Sequence, residues 1–161
     1  MKKKLEYKEE WRGEHEGITF LISRHSNHDR ESCWCFYILL PIEAIPEAER
    51  GAWVVEADMD VKPWARYDYT ESRWADLVWH GGITYYDCMD GEVIKAGCDY
   101  SHLFDEGCHY DVEELAHDAR ACIDSLRERL AVRWRSNWDG SWHATEADLD
   151  AHDLAKREAA K

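Results

Sequence analysis

The stretch Cys33-Trp34-Cys35-Phe36-Tyr37-Ile38-Leu39-Leu40 decides the fold. It is uncharged, of strand length and apolar nearly throughout, and Pro41 ends it. An apolar run without alternation suits a strand covered on both faces, the centre of a sheet. Upstream, Gly17–Ile22 (GITFLI) reads as a partner strand, separated from the run by the polar turn Ser23–Ser32. Downstream, Ala52–Ala57 reads as a short strand, and Leu77–Tyr86 (LVWHGGITYY) as strand, glycine interruption, strand. Asp90-Gly91 is a hairpin turn signal, and Glu92–Cys98 (EVIKAGC) is the return strand.

One helix is plain. Asp111 with Glu114 three residues on forms an acidic capping box. Val112, Leu115, Ala116, Ala119, Cys122, Ile123, Leu126 and Leu130 then share one face, predicting a helix over 112–133. That face must be buried against something. The expected class is therefore α+β: an antiparallel sheet of four or five strands with one long amphipathic helix packed on a face. Residues 1–16 are charged and expected to be loose or partly helical, 17–134 form a single domain, and 135–161 a Trp-containing loop followed by a peripheral helix over 146–159. Trp134, Trp138 and Trp142 would form a stripe if the first helix ran on, but Asn137, Asp139, Gly140 and Ser141 oppose this.

The chain has 161 residues, with 34 acidic and 20 basic groups, a net charge of −14. Residues 56–111 carry 13 acidic and 4 basic groups, net −9, against −2 before and −3 after. Phosphate-tracking contact with nucleic acid needs a basic surface and is not expected. No apolar run reaches the length of a membrane span. The opening MKKKLEYKEEW lacks the apolar core of a secretory signal, so the six cysteines are expected as reduced thiols in a cytoplasm. The acidic middle suits either a basic partner or ion, or solvated loops that keep a Trp-rich chain soluble. Cys33 and Cys35, two apart on a strand, face the same side. They either meet one ion or pack as small apolar side chains, and packing is the more economical reading because free Cys commonly behaves as a buried hydrophobe.

The chemistry-bearing residues gather after residue 79. Gly81-Gly82 inside a strand pattern suggests a bulge or the close approach of another group. Folding back at Asp90-Gly91 brings His80 near Asp99, His102 and Asp105. Two imidazoles and two carboxylates suit zinc, iron or manganese, with Cys108-His109 as a further donor. Acid–base chemistry, with Asp99 orienting His80 or His102, is an alternative. A purely structural role, Asp99 capping a turn and His102 meeting a backbone carbonyl, competes with both.

At these residues the chain resembles uncharacterised small proteins of tailed phages and prophages. Their ordered motifs are a strand ending in a GYV-x-VP-like run, HGG[LI]T[FY], a GxDxxH followed shortly by Asp, and a C-terminal amphipathic helix. Here Cys35–Pro41, His80-Gly81-Gly82-Ile83-Thr84-Tyr85, Gly97-Cys98-Asp99-Tyr100-Ser101-His102 with Asp105, and the helix opened by Asp111 take those places. Cys35 stands where the family has Gly, and Cys98 where it has an aromatic residue. The resemblance implies a bacterial-host cytoplasm and a small accessory protein that binds a host factor.

Two function classes follow. The first is a non-catalytic binder whose acidic face engages the basic surface of a host defence or nucleic-acid-handling protein. The second is a metal-dependent hydrolase of a small phosphorylated or nucleotide-like substrate, using His80, Asp99, His102 and Asp105 with Gly81, Gly82 and Thr84 around them. A nucleotide sponge would need cationic groups, and Arg66, Arg73 and Lys95 are the only ones between 63 and 111. A structural virion component would reveal itself by self-assembly.

Overall fold

A computed structural model describes residues 8–26, 33–102, 105–106, 108–131, 134–136 and 142–144. Five strands, β1 Lys8–His15, β2 Ile18–His25, β3 Cys33–Pro41, β4 Tyr85–Met89 and β5 Val93–Asp99, form one sheet in the order β1-β2-β3-β5-β4. Every neighbouring pair is antiparallel. The uncharged run is central, as its composition requires. Phe36, Ile38 and Leu40 are fully buried on one face, and Cys33 and Cys35 are buried on the other.

The first face carries the core. Helix α2, Val112–Ala131, lies against β1, β2 and β3 and buries Leu115, Ala119, Cys122, Ile123 and Leu126; the single helical turn α1 is Arg50–Trp53. The capping box forms as expected: the Glu114 N–H donates to Asp111 Oδ1 at 2.9 Å, and the Asp111 N–H to Glu114 Oε2 at 3.1 Å. Tryptophans extend the same layer beyond the helix. Phe36 stacks on Trp79 at 5.5 Å, Trp74 meets Trp53 edge-on at 5.3 Å, and the Trp74 indole N–H donates to the Trp53 carbonyl at 2.8 Å. The α+β class with a long helix on one face is therefore the fold. Among the described residues no helix is long and apolar enough to cross a membrane.

Three local expectations are corrected. Residues 8–15 are an edge strand, not a loose or helical segment. Their alternation is real, but the inward positions are Trp11, Gly13 and His15. Trp11 stacks on Trp34 at 5.7 Å, the bare Gly13 leaves room for the Phe20 ring, and His15 meets Asp124 of α2 at 2.8 Å. The charged outward face suits an edge. Ala52–Ala57 forms no strand. After α1 its backbone groups find side chains instead, the Val55 N–H donating to the Tyr86 hydroxyl oxygen at 2.9 Å. Leu77–Thr84 is irregular, because Gly81 and Gly82 take φ of 69° and 104°, outside a ladder. The Asp90-Gly91 turn is as expected, with positive φ at both residues.

Helix α2 is described to Ala131. Trp134–Ser136 (β6) and Trp142–Ala144 (β7) pair as a small antiparallel ladder, so no helical stripe runs through Trp134 and Trp142. The expected helix over 146–159 lies outside the described residues.

Ile38, fully buried on the helix side of β3, is expected to cost about 2–5 kcal/mol on replacement by Ala. Glu9→Ala on the exposed edge is expected within about 0.5 kcal/mol of the parent chain. Urea unfolding checks both.

Candidate functional site

Strand β5 delivers Tyr100 into the core layer, where its N–H donates to the Trp34 carbonyl at 2.8 Å. The chain then turns tightly. The Asp105 N–H donates to the His102 carbonyl at 3.0 Å, and the His102 N–H donates back to Asp105 Oδ2 at 2.8 Å. This reciprocal pair drives the Asp105 side chain inward until it is 2% exposed.

A carboxylate so placed must find donors for each oxygen. Oδ1 receives His80 Nε2 at 2.6 Å and the Tyr110 hydroxyl. Oδ2 receives His102 Nδ1 at 3.1 Å besides the His102 N–H. Four donors thus meet the roughly four lone-pair sites an ionised carboxylate offers. Burial pushes the Asp105 carboxyl up, but hydrogen bonds from Tyr110, the His102 N–H, His80 and the His102 ring outweigh it and hold it at about 2. An ionised Asp105 accepts and cannot donate. His80 therefore carries a proton on Nε2, and His102 on Nδ1.

The rings are held from behind. His80 stacks flat on Tyr100, 3.9 Å between centroids and 9° between planes. Tyr110 meets Tyr100 edge-on at 4.8 Å, and the Tyr100 hydroxyl donates to Asp118 of α2 at 2.5 Å. Burial, then the carboxylates Asp118 and Asp105 respectively, push both phenols above their ordinary value, so they remain donors. Gly81 completes the fit. A Cβ there would sit 2.4 Å from His102 Cε1, and φ is 69°, so a side chain is excluded by both space and backbone. The close approach expected at the double glycine is thus that of the His102 ring.

Of the four expected ligands the structure brings three together: donor atoms of His80, His102 and Asp105 all lie within 4.8 Å of one another. Asp99 is elsewhere. Alternation along β5 turns Cys98 into the core and Asp99 to the opposite face, directly across from Cys35. Its N–H donates to Thr84 Oγ1 at 3.1 Å, and the Thr84 N–H donates to the Gly97 carbonyl at 2.9 Å, so Thr84 serves the sheet edge. At Gly82 a Cβ would meet open space. Cys108 and His109 are exposed and outside the trio. Tyr100, Tyr110 and Asp118 complete the cluster, and no sequence spacing pointed to them.

On the opposite face the Cys33 thiolate is favoured. A hydrogen bond from Cys35, aided by Ser101 and the charge of His25, brings Cys33 down to about 6 against the upward push of burial, while Cys35 is raised.

Comparison of the chain with protein-family models, with curated proteins and with solved structures returns no match.

Asp105→Asn is expected to cost about 3 kcal/mol, because the amide nitrogen would face a donor where the carboxylate accepted. Folded Asp105 sits at about 2, below the unfolded value, so its contribution is full above about pH 4 and fades as pH falls towards 2. Acid titration of stability should show a step of about 2 kcal/mol in the parent chain that Asp105→Asn lacks. Gly81→Ala should also destabilise, by about 1–3 kcal/mol.

Proposed function

We propose that the chain acts by binding, presenting an acidic surface to the basic face of a partner protein. The observation that carries this is how folding sorts the charges of residues 56–111. Ten of the thirteen acidic groups are exposed. Of the four basic groups, Arg73 is buried against Asp76, Arg66 is half-buried, and Lys95 lies over the Tyr37 ring at 4.2 Å, leaving Lys62 as the exposed one. The surface is therefore more one-signed than the sequence. Its most prominent element is Glu56–Val61, where Glu56, Asp58 and Asp60 alternate with Ala57, Met59 and Val61. Met59 is 67% exposed and Val61 39%. Alternating carboxylates and apolar side chains on an irregular segment offer long-range attraction together with short-range apolar contact. The resemblance to small phage proteins directs the proposal to host proteins that handle nucleic acid or mediate defence, whose phosphate-binding surfaces are basic. On this reading the Asp105 cluster holds the loops in place and takes no part in chemistry.

Immobilised chain incubated with bacterial lysate is expected to retain a specific basic protein at low salt and to release it by 0.5–1 M salt, where the screening length falls to about 3–4 Å. A Glu56→Lys, Asp58→Lys, Asp60→Lys variant should lose that protein while folding normally. A retained protein indifferent to both salt and charge reversal contradicts the proposal, and so does the absence of any.

A second reading has one observation in its favour: His80, His102 and Asp105 converge as two imidazoles and a carboxylate do around zinc, manganese or iron. An ion there would support hydrolysis of a small phosphorylated substrate, after displacing the hydrogen bonds to Asp105. This reading expects about one ion per chain by elemental analysis, lost in His102→Ala. Metal content unchanged in that variant removes His102 from such a site.

A further inference from the structure

The face of the sheet turned away from α2 carries a second group of donors, different in chemistry. Its origin is the strand register. His25 on β2 stands directly opposite Cys33 on β3, and Cys35 on β3 directly opposite Asp99 on β5. Cys33 and Cys35, two apart, point the same way, so the pairing sets His25, Cys33, Cys35 and Asp99 on one face across three strands. The His25 ring nitrogen and the two sulfurs all lie within 4.8 Å of one another.

Both thiols are buried, but polar groups border them as well as apolar ones. Cys33 and Cys35, 6% and 5% exposed, form part of the wall of an open cavity of about 350 Å³. Its polar lining includes His25, Thr84, Asp99 and Ser101, and the Ser101 hydroxyl is 3.1 Å from the Cys33 sulfur.

We propose that His25, Cys33 and Cys35 form a binding site for a zinc-class divalent ion, with water from the cavity as the fourth donor. Two sulfurs and one imidazole match zinc in ligand softness, and a carboxylate or water commonly fills the remaining position. Tetrahedral zinc with Zn–S of about 2.3 Å and Zn–N of about 2.0 Å sets its donors about 3.5–3.8 Å apart. Atoms already within 4.8 Å reach that spacing by small side-chain rotations. The bound ion ties β2 to β3 at the ends where the polar turn leaves the sheet. The site is independent of the acidic surface and of the Asp105 cluster, and it stands or falls without them.

Titration of the reduced, metal-free chain with Co2+ is the test. The expected result is one Co2+ per chain with near-ultraviolet thiolate charge transfer and the intense visible bands of a tetrahedral centre, displaced by Zn2+. Cys33→Ser and Cys35→Ser should each weaken binding at least tenfold, whereas Cys108→Ser should leave the spectrum unchanged. No charge transfer in the parent chain, or charge transfer that survives loss of both Cys33 and Cys35, overturns the proposal. Should the cysteine variants fail to fold, alkylation of the parent chain decides. Zn2+ should slow modification of Cys33 and Cys35 but not of Cys108, and equal rates with and without Zn2+ contradict the site.

Discussion

A carboxylate taken out of water must be met by donors on both oxygens, and the loop end of this molecule is built around that requirement at Asp105. Its donors come from separate stretches: His80 before β4, His102 after β5, and Tyr110 just ahead of α2. Each donor imposes a further condition. His80 must lie flat, and Tyr100 supplies the surface. His102 must lie over the backbone at Gly81, which forbids a side chain there. Tyr100 is in turn anchored to α2 through Asp118. The irregular path of residues 77–84 thus follows from one buried charge as much as from its own glycines.

The two faces of the sheet divide the chemistry. On the helix side the Asp105 carboxylate is met by four donors and resembles a structural pin more than a site awaiting substrate. On the other side, sulfur and imidazole border an open cavity. The acidic segment Glu56–Val61 is a third region, formed where the backbone leaves α1 and takes part in no sheet. The proposed recognition there needs no catalytic geometry, only exposed carboxylates; of the nearby basic groups Arg66 and Arg73 are drawn into the fold, while Lys62 stays exposed.

Much of the architecture was legible. The uncharged run of β3, the Asp90-Gly91 turn and the capping box at Asp111 each state a local rule that the fold obeys. Strand β1 was hidden because its inward positions are Trp11, Gly13 and His15, an alternation that a hydrophobicity pattern registers weakly. His80, His102 and Asp105 were found by residue type and by folding back at the hairpin. Asp99 was grouped with them because nearness in sequence overrode strand alternation, which sends residues 98 and 99 to opposite faces. The pairing of His25 with Cys33 depends on register across a turn, and register is not written in either strand alone. The tyrosines around Asp105 carry no motif and emerge only from packing.

On the proposed reading the His80–Asp105–His102 cluster is a closed hydrogen-bonded clamp that holds the loops. Nitrogen-15 NMR of the two imidazoles, recorded on metal-free protein and again with one equivalent of Zn2+, tests it most directly. The account predicts a proton on Nε2 of His80 and on Nδ1 of His102 in both samples, protected from exchange and undisturbed by zinc. Loss of those two N–H signals on adding zinc, or averaged tautomers at both rings in its absence, would contradict it.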